Sequence, residues 1–190
     1  MTLSAEQLLT LAQQYWDTSK DFHLRQEMSP RAQARQALLS REHEHADRWW
    51  SLRDDLQREL PGFGLQLMGS AMDAGFRFIA YPLPTNPPRP RPWVLVGCVS
   101  LLAPVYAVYG VEYDEAEGRR SHFRARFELD LPGMEQPAQR IARKLEEVLG
   151  YEPLPEELAR MPVPLFVEPQ EPPHTTLFHA LFTSEPASIP

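Results

Sequence analysis

Cysteine and lysine are scarce in this sequence. The single cysteine, Cys98, cannot form an internal disulfide, so the fold needs no oxidising compartment. Lys20 and Lys144 are the only lysines, while arginine, alanine, leucine and proline are abundant, a composition typical of GC-rich bacterial genomes. The first residues lack the basic region and apolar run of a signal peptide. We therefore expect a bacterial protein that stays in the cytoplasm.

The sequence also has few basic residues. Its 26 aspartates and glutamates outnumber its 19 lysines and arginines, so the net charge is −7. A protein that binds duplex DNA needs cations to displace the counterions of the phosphates, so we expect no nucleic-acid partner. An acidic chain is compatible with a positively charged protein partner. The same acidity also serves solubility without any partner.

Motifs of catalysis, cofactor binding and metal binding are missing. The nine glycines are scattered and form no phosphate-binding loop. Ser70 lacks the flanking glycines of a nucleophile elbow. His43 and His45 are two residues apart, whereas the zinc-protease pattern needs histidines four apart. Cys98 lies in an apolar run with no base nearby in sequence. We predict no catalytic residue, no cofactor and no metal ion.

One uncharged run, residues 93–111, approaches the length of a membrane span. It contains Gly97, Pro104 and Gly110 and is rich in valine and tyrosine, and its second half alternates between apolar and polar residues. This pattern favours two consecutive buried strands, so we expect no membrane association.

Helical periodicity appears in three places. Ser4 and Gln7 have the spacing of a capping box and begin a predicted helix over residues 5–18. Ser29 and Pro30 begin a second predicted helix, which continues to residue 60. Pro137 opens a third, and residue 150 is a glycine, which suits the carboxyl-terminal cap.

Alternating patterns predict strands over residues 65–72, 76–81, 93–101, 105–114 and 121–131. Six prolines among residues 82–92 predict an extended surface loop, since proline has no amide donor for a sheet. We therefore predict one α+β domain over residues 1–190. Its parts are a helical region (1–62), an antiparallel meander of about five strands (63–131), a helix (132–150) and a proline-rich tail packed on the body (151–190).

Surface residues of the second helix and the last strand suggest a partner-binding surface. Trp49 and Trp50 are adjacent and point about 100° apart on a helix, so only one of them can enter the core. Arg124 and Arg126 lie on the polar face of a strand, where they either pair with acidic residues across the turn or bind a partner. The predicted partner-binding residues are Glu42, Glu44, Asp47, Trp50, Asp54, Asp55, Arg124 and Arg126.

These features lead to one functional hypothesis and two alternatives. We expect a non-enzymatic protein-binding module, of the kind that inhibits a partner as immunity proteins inhibit a basic bacterial toxin. The first alternative is an enzyme whose site is assembled from dispersed side chains on the sheet, with His122, Arg124, Arg126 and Glu128 as its first candidates. The second alternative is a structural subunit of a larger assembly. The sequence alone does not predict a homo-oligomeric state.

Overall fold

The computed structural model describes residues 3–85 and 92–190. Its helices are α1 (Ala5–Ala12), α2 (Asp21–Leu24), α3 (Pro30–Glu44), α4 (Ala46–Glu59), α5 (Glu135–Leu149), α6 (Glu156–Ala159) and α7 (Leu177–Leu181). Its strands are β1 (Phe63–Gly69), β2 (Gly75–Pro82), β3 (Trp93–Ser100), β4 (Val105–Ala116), β5 (Arg119–Arg126) and β6 (Glu152–Pro153).

The sheet is an antiparallel meander in which β1 to β5 lie side by side in chain order. The register pairs Phe78 of β2 with Gly97 of β3, and Gly97 with Val108 of β4. The two-residue strand β6 adds a short parallel pairing at the start of β4. The predicted α+β class, with a meander of about five strands, is confirmed.

The first predicted helix is too long. It ends at Ala12 rather than at residue 18, because the chain then turns and carries Trp16 into the core. The indole Nε1 of Trp16 donates a hydrogen bond to the carbonyl oxygen of Ala180, 2.7 Å away. This contact ties the amino-terminal region to the tail.

The second predicted helix is two helices, α3 and α4, separated at His45, whose φ of −106° and ψ of 28° are not helical. Because of this break, the two helices can pack against different apolar clusters. Leu38 of α3 packs against one cluster, whereas Trp49 of α4 lies in the other. A straight helix would leave one of these side chains exposed.

The predicted strands match the observed ones except at their ends, and β5 stops at Arg126 rather than at residue 131. The uncharged run 93–111 forms β3 and part of β4, joined by a short connection. Residues 86–91 of the predicted proline-rich loop lie outside the described residues. No helix in the described part of the chain is long and apolar enough to cross a membrane.

Both faces of the sheet are apolar, because side chains alternate between two clusters along the central strands. On β3, Val94 and Val96 enter one cluster, whereas Trp93 and Leu95 enter the other. Burial on both faces explains the near-continuous apolar run of this strand. The face with Trp93 and Leu95 is covered by α4 and α5. A Cβ atom at Gly97 would lie 2.7 Å from Ile141 of α5, so only glycine permits this close approach.

The other face is covered by α1 and by the tail, residues 151–190. Phe178 of α7 is 2% exposed, and its ring lies against those of Tyr109, Phe127 and Phe182 at centroid distances of 5.5, 4.9 and 5.0 Å. The proline-rich tail is therefore a layer of the core.

Replacing Phe178 by alanine tests whether the tail belongs to the cooperative fold. We expect Phe178→Ala to lower the free energy of unfolding by about 3 to 5 kcal/mol, because it empties a packed aromatic site. Equilibrium urea unfolding measures this, with Val148→Ala as a control at a residue that is 49% exposed. Equal losses in the two variants would contradict the assignment of the tail to the core.

Helix α7 also carries a group that responds to pH. Thr176 and His179 form a capping box in which the Thr176 amide donates to His179 Nδ1 at 3.1 Å. Burial lowers the pKa of His179 below its ordinary value of 6.5. The unfolded chain therefore binds a proton at higher pH than the folded one. The stability from neutral His179 is complete above pH 6.5 and is lost as the pH falls from there to the folded pKa.

We expect His179→Gln to reduce the fall in melting temperature between about pH 7 and pH 5, because glutamine can close the same capping box without titrating. Thermal unfolding followed by circular dichroism at several pH values measures the difference. An unchanged acid dependence in the variant would show that His179 does not contribute to it.

Candidate functional site

The predicted acidic residues of α3 and α4 divide into exposed and internally paired groups. Glu44, Asp47 and Asp54 are exposed. Glu42 is buried and accepts a hydrogen bond from Arg48, and Asp55 is half-buried and ion-paired with Arg58. Only the first three are therefore open to a partner.

The two adjacent tryptophans have different environments. Trp49 is 1% exposed and packs on Phe76 at a ring-centroid distance of 4.9 Å. Trp50 is 47% exposed, and the guanidinium carbon of Arg53 lies 5.3 Å from its ring centroid. Trp50 is thus a large aromatic surface that the fold leaves largely in water.

Arg124 and Arg126 are engaged in cross-strand ion pairs. Arg124 Nη2 lies 3.1 Å from Asp114 Oδ1, and Arg126 Nη1 lies 3.4 Å from Glu112 Oε2. Arg126 also pairs with Asp130 at 2.9 Å. Because α4 contacts β1 at one edge of the meander and β5 forms its other edge, these arginines do not join the acidic residues in one surface.

The side chains predicted for a dispersed catalytic site also lie on the surface and contact oppositely charged residues. His122 is exposed and lies 3.1 Å from Asp114. Glu128 is exposed and lies 3.8 Å from Arg160. Neither, in this arrangement, is poised against a nucleophile. Burial raises the pKa of Cys98 to about 12, so its thiol stays protonated at neutral pH.

A separate cavity of about 380 Å³ lies between α2, the start of α3 and the tail, and we name it the Arg35 cleft. The large apolar side chains of its lining are three aromatic residues and two methionines: Trp16, Phe22, Phe166, Met28 and Met72. The two methionines are 53% and 42% exposed, respectively. An apolar concavity with a few polar groups is the usual form of a small-ligand site.

Hydrogen bonds within the amino-terminal region and between it and the tail fix the shape of the cleft. Ser29 caps α3 by accepting from the Ala32 amide at 3.0 Å, and its hydroxyl donates to Asp17. The Phe166 amide of the tail donates to the Asp17 carbonyl oxygen at 2.7 Å. Gln26, at a φ of 56°, turns the chain between α2 and α3. The cleft is therefore built from segments about 150 residues apart in the chain.

Arg35 lines the cleft and forms no ion pair within 4.0 Å with the residues that the structure describes. Its guanidinium carbon lies 3.8 Å from the Trp16 ring centroid, and its Nη1 donates to the Tyr15 carbonyl oxygen at 3.2 Å. Its Nε is buried and has no hydrogen-bond partner. Burial lowers the pKa of Arg35, while the nearby charges of Asp17, Glu168 and Asp73 act in the opposite direction.

Each carboxylate of the cleft has a basic side chain within 3.5 Å, although His23 is a cation only when it is protonated. Asp17 lies 3.5 Å from Arg31, Glu27 lies 3.2 Å from Arg25, and Glu168 lies 3.1 Å from His23. No ion pair joins any of them to Arg35 within the residues that the structure describes.

A second cavity adjoins the Arg35 cleft and shares Met72 and Glu168 with it. Here Arg77 and Asp73, each 4% exposed, form an ion pair at 3.4 Å, and Arg77 Nη1 donates to the Ser188 carbonyl oxygen at 2.7 Å. Burial raises the pKa of Asp73 despite the attraction of Arg77. This pair anchors the end of the tail to the sheet.

Among residues 3–85 and 92–190, no three histidine, cysteine, aspartate or glutamate side chains are arranged to hold a metal ion.

The Arg35 cleft was not predicted from the sequence. Its closest signal is the Ser29-Pro30 helix start, which places Arg35 in the second turn of α3. Nothing in the pattern joins that turn to Trp16 or Phe166, because their proximity depends on how the tail folds back.

The chain matches no protein-family model, no curated protein and no solved structure.

Buried Arg77, which forms an ion pair, and half-buried Arg35, which forms none with the described residues, allow the stabilising effect of the ion pair to be tested. We expect Arg77→Met to lower the free energy of unfolding by about 3 to 5 kcal/mol, since it leaves Asp73 buried without a counterion. We expect Arg35→Met to change it by less than about 1 kcal/mol, because the thioether keeps the contact with Trp16 and no ion pair is broken. Urea unfolding of both variants measures the two values. A larger loss for Arg35→Met than for Arg77→Met would contradict this assignment.

Proposed function

We propose that the protein is a non-enzymatic binding module for a positively charged protein partner, in the manner of a cytoplasmic immunity protein that neutralises a cognate bacterial toxin. The observation that carries the proposal is the exposure of Trp50 on α4, at 47%. Buried aromatic anchors contribute much of the affinity of protein interfaces. A tryptophan held in water by a rigid helix is well placed to become such an anchor.

The residues around Trp50 support an acidic binding surface. Asp47 and Asp54 are three residues before and four residues after Trp50, so all three share one face of α4. Glu44 is exposed at the end of α3. We name this set, Glu44, Asp47, Trp50 and Asp54, the α4 surface.

The charges of the α4 surface are available to a partner. Glu44 and Asp47 form no ion pair with the residues that the structure describes. Asp54 pairs with Arg53 at 3.2 Å, but an exposed pair of this kind contributes little free energy and exchanges readily with a new partner. Together with the net charge of −7, these carboxylates favour a cationic protein over a nucleic acid.

The first test uses affinity capture from the source organism at low and moderate salt, followed by binding kinetics with the retained protein. We expect one stoichiometric basic partner. Trp50→Ala should weaken its affinity by about 2 kcal/mol, roughly 30-fold, because it removes the aromatic anchor. The double variant Asp47→Lys/Asp54→Lys should slow association about tenfold at low salt, with a flatter salt dependence.

Matched controls separate the α4 surface from general effects. Val148→Ala truncates another exposed apolar side chain, and Glu115→Lys/Glu117→Lys makes the same change in net charge at the end of β4 and in the turn that follows it. Both controls should bind normally. The absence of any basic partner, or equal weakening by the control variants, would overturn the proposal.

A further inference from the structure

We propose that the Arg35 cleft is a binding site for a small monocarboxylate with an apolar, preferably aromatic, body. The guanidinium of Arg35, the charges around it and the apolar walls of the cleft support this site. The site is independent of the α4 surface, because none of the residues that line the cleft belongs to α4.

Two of the side-chain donor atoms of Arg35 have no acceptor among the residues that the structure describes. Nη1 is satisfied by the Tyr15 carbonyl oxygen. Nε is buried without an acceptor, and Nη2 donates to no acceptor in the described part of the chain. An unsatisfied donor away from water, such as Nε, is costly. Because Nε is shielded, Nη2 is the donor that we expect a ligand carboxylate to engage, in a charge-assisted hydrogen bond.

The carboxylates of the cleft limit the charge of the ligand. Asp17 and Glu27 are ion-paired with Arg31 and Arg25, whereas Glu168 lies 3.1 Å from His23, which is a cation only when it is protonated. The single positive charge of Arg35 neutralises a ligand with one negative charge. A phosphate dianion would add a surplus charge beside three carboxylates, and like charges at short range repel. The site therefore fits a carboxylate better than a phosphate.

The walls of the cleft suit a ligand with an apolar body. The rings of Phe22 and Phe166 and the side chains of Met28 and Met72 line the cleft, and methionine adapts its shape to aromatic ligands. The volume of about 380 Å³ lies within the range of pockets that hold small organic molecules. A ligand that places a carboxylate at Arg35 and an aromatic group between these walls contacts both the polar and the apolar part of the site.

The test measures the binding of matched probes by isothermal titration calorimetry at neutral pH. We expect 3-phenylpropanoate to bind, whereas 2-phenylethylamine, with a similar body and opposite charge, and inorganic phosphate should not. Arg35→Met should weaken the binding of 3-phenylpropanoate by about 10- to 100-fold, because it removes a charge-assisted hydrogen bond. Arg41→Met removes an exposed arginine of the same helix and should bind as the wild type does.

A second variant keeps the test decisive if Arg35→Met does not fold. Ala32→Phe places a large side chain in the cleft at partly exposed Ala32 and leaves Arg35 unchanged, so it should also abolish binding.

Titration of the peptide Gly-Gly-Phe distinguishes the source of the carboxylate. Tighter binding than that of 3-phenylpropanoate assigns the site to a peptide carboxyl terminus, and weaker binding assigns it to a free acid. No binding of either acid at about 10 mM, well above ordinary small-ligand affinities, overturns the proposal. Preference for the amine or for phosphate, or equal loss in Arg41→Met, overturns it as well.

Discussion

The fold depends on covering a sheet that is apolar on both faces. The central strands β2 and β3 are buried along almost their whole length, so neither face can be left in water. One face is covered by the regular helices α4 and α5. The other is covered by α1 and a proline-rich tail with little regular structure. Because the hydrophobic effect requires apolar burial and not a particular secondary structure, an irregular segment can serve as a layer.

This use of the tail also creates the Arg35 cleft. The buried pair of Arg77 and Asp73, together with the hydrogen bond from Trp16 to Ala180, fixes the path of the tail across the sheet. That path brings Phe166 and Glu168 beside Arg35. The cleft is thus a consequence of the same packing that stabilises the core, while Arg35 itself contributes a desolvated charge without an ion pair. A partly desolvated arginine without an ion pair contributes little to the stability of the fold, which favours a role for Arg35 in binding a ligand.

Local patterns in the sequence predicted the strands, helix starts and helix cap, because these features depend on residues close together in the chain. Alternation identified the five strands of the meander, Ser4 and Ser29 identified helix starts, and Gly150 takes the left-handed conformation of a helix cap. The break at His45 was missed, because it depends on which cluster each half of the helix meets. The cleft was missed for the same reason, since its walls come from distant segments. The α4 surface could be proposed from the sequence because Asp47, Trp50 and Asp54 are related by helical spacing alone.

Hydroxyl-radical oxidation of the free chain and of its complex, read by mass spectrometry, tests the proposed α4 surface most directly, because it reports the exposure of single side chains. Trp50 and Phe123 are both exposed in the free chain, at 47% and 37%, and lie on different elements. The account predicts that the captured partner protects Trp50 from oxidation and leaves Phe123 unchanged. Protection of Phe123 with unchanged oxidation of Trp50 would contradict it and would place the interface on β5.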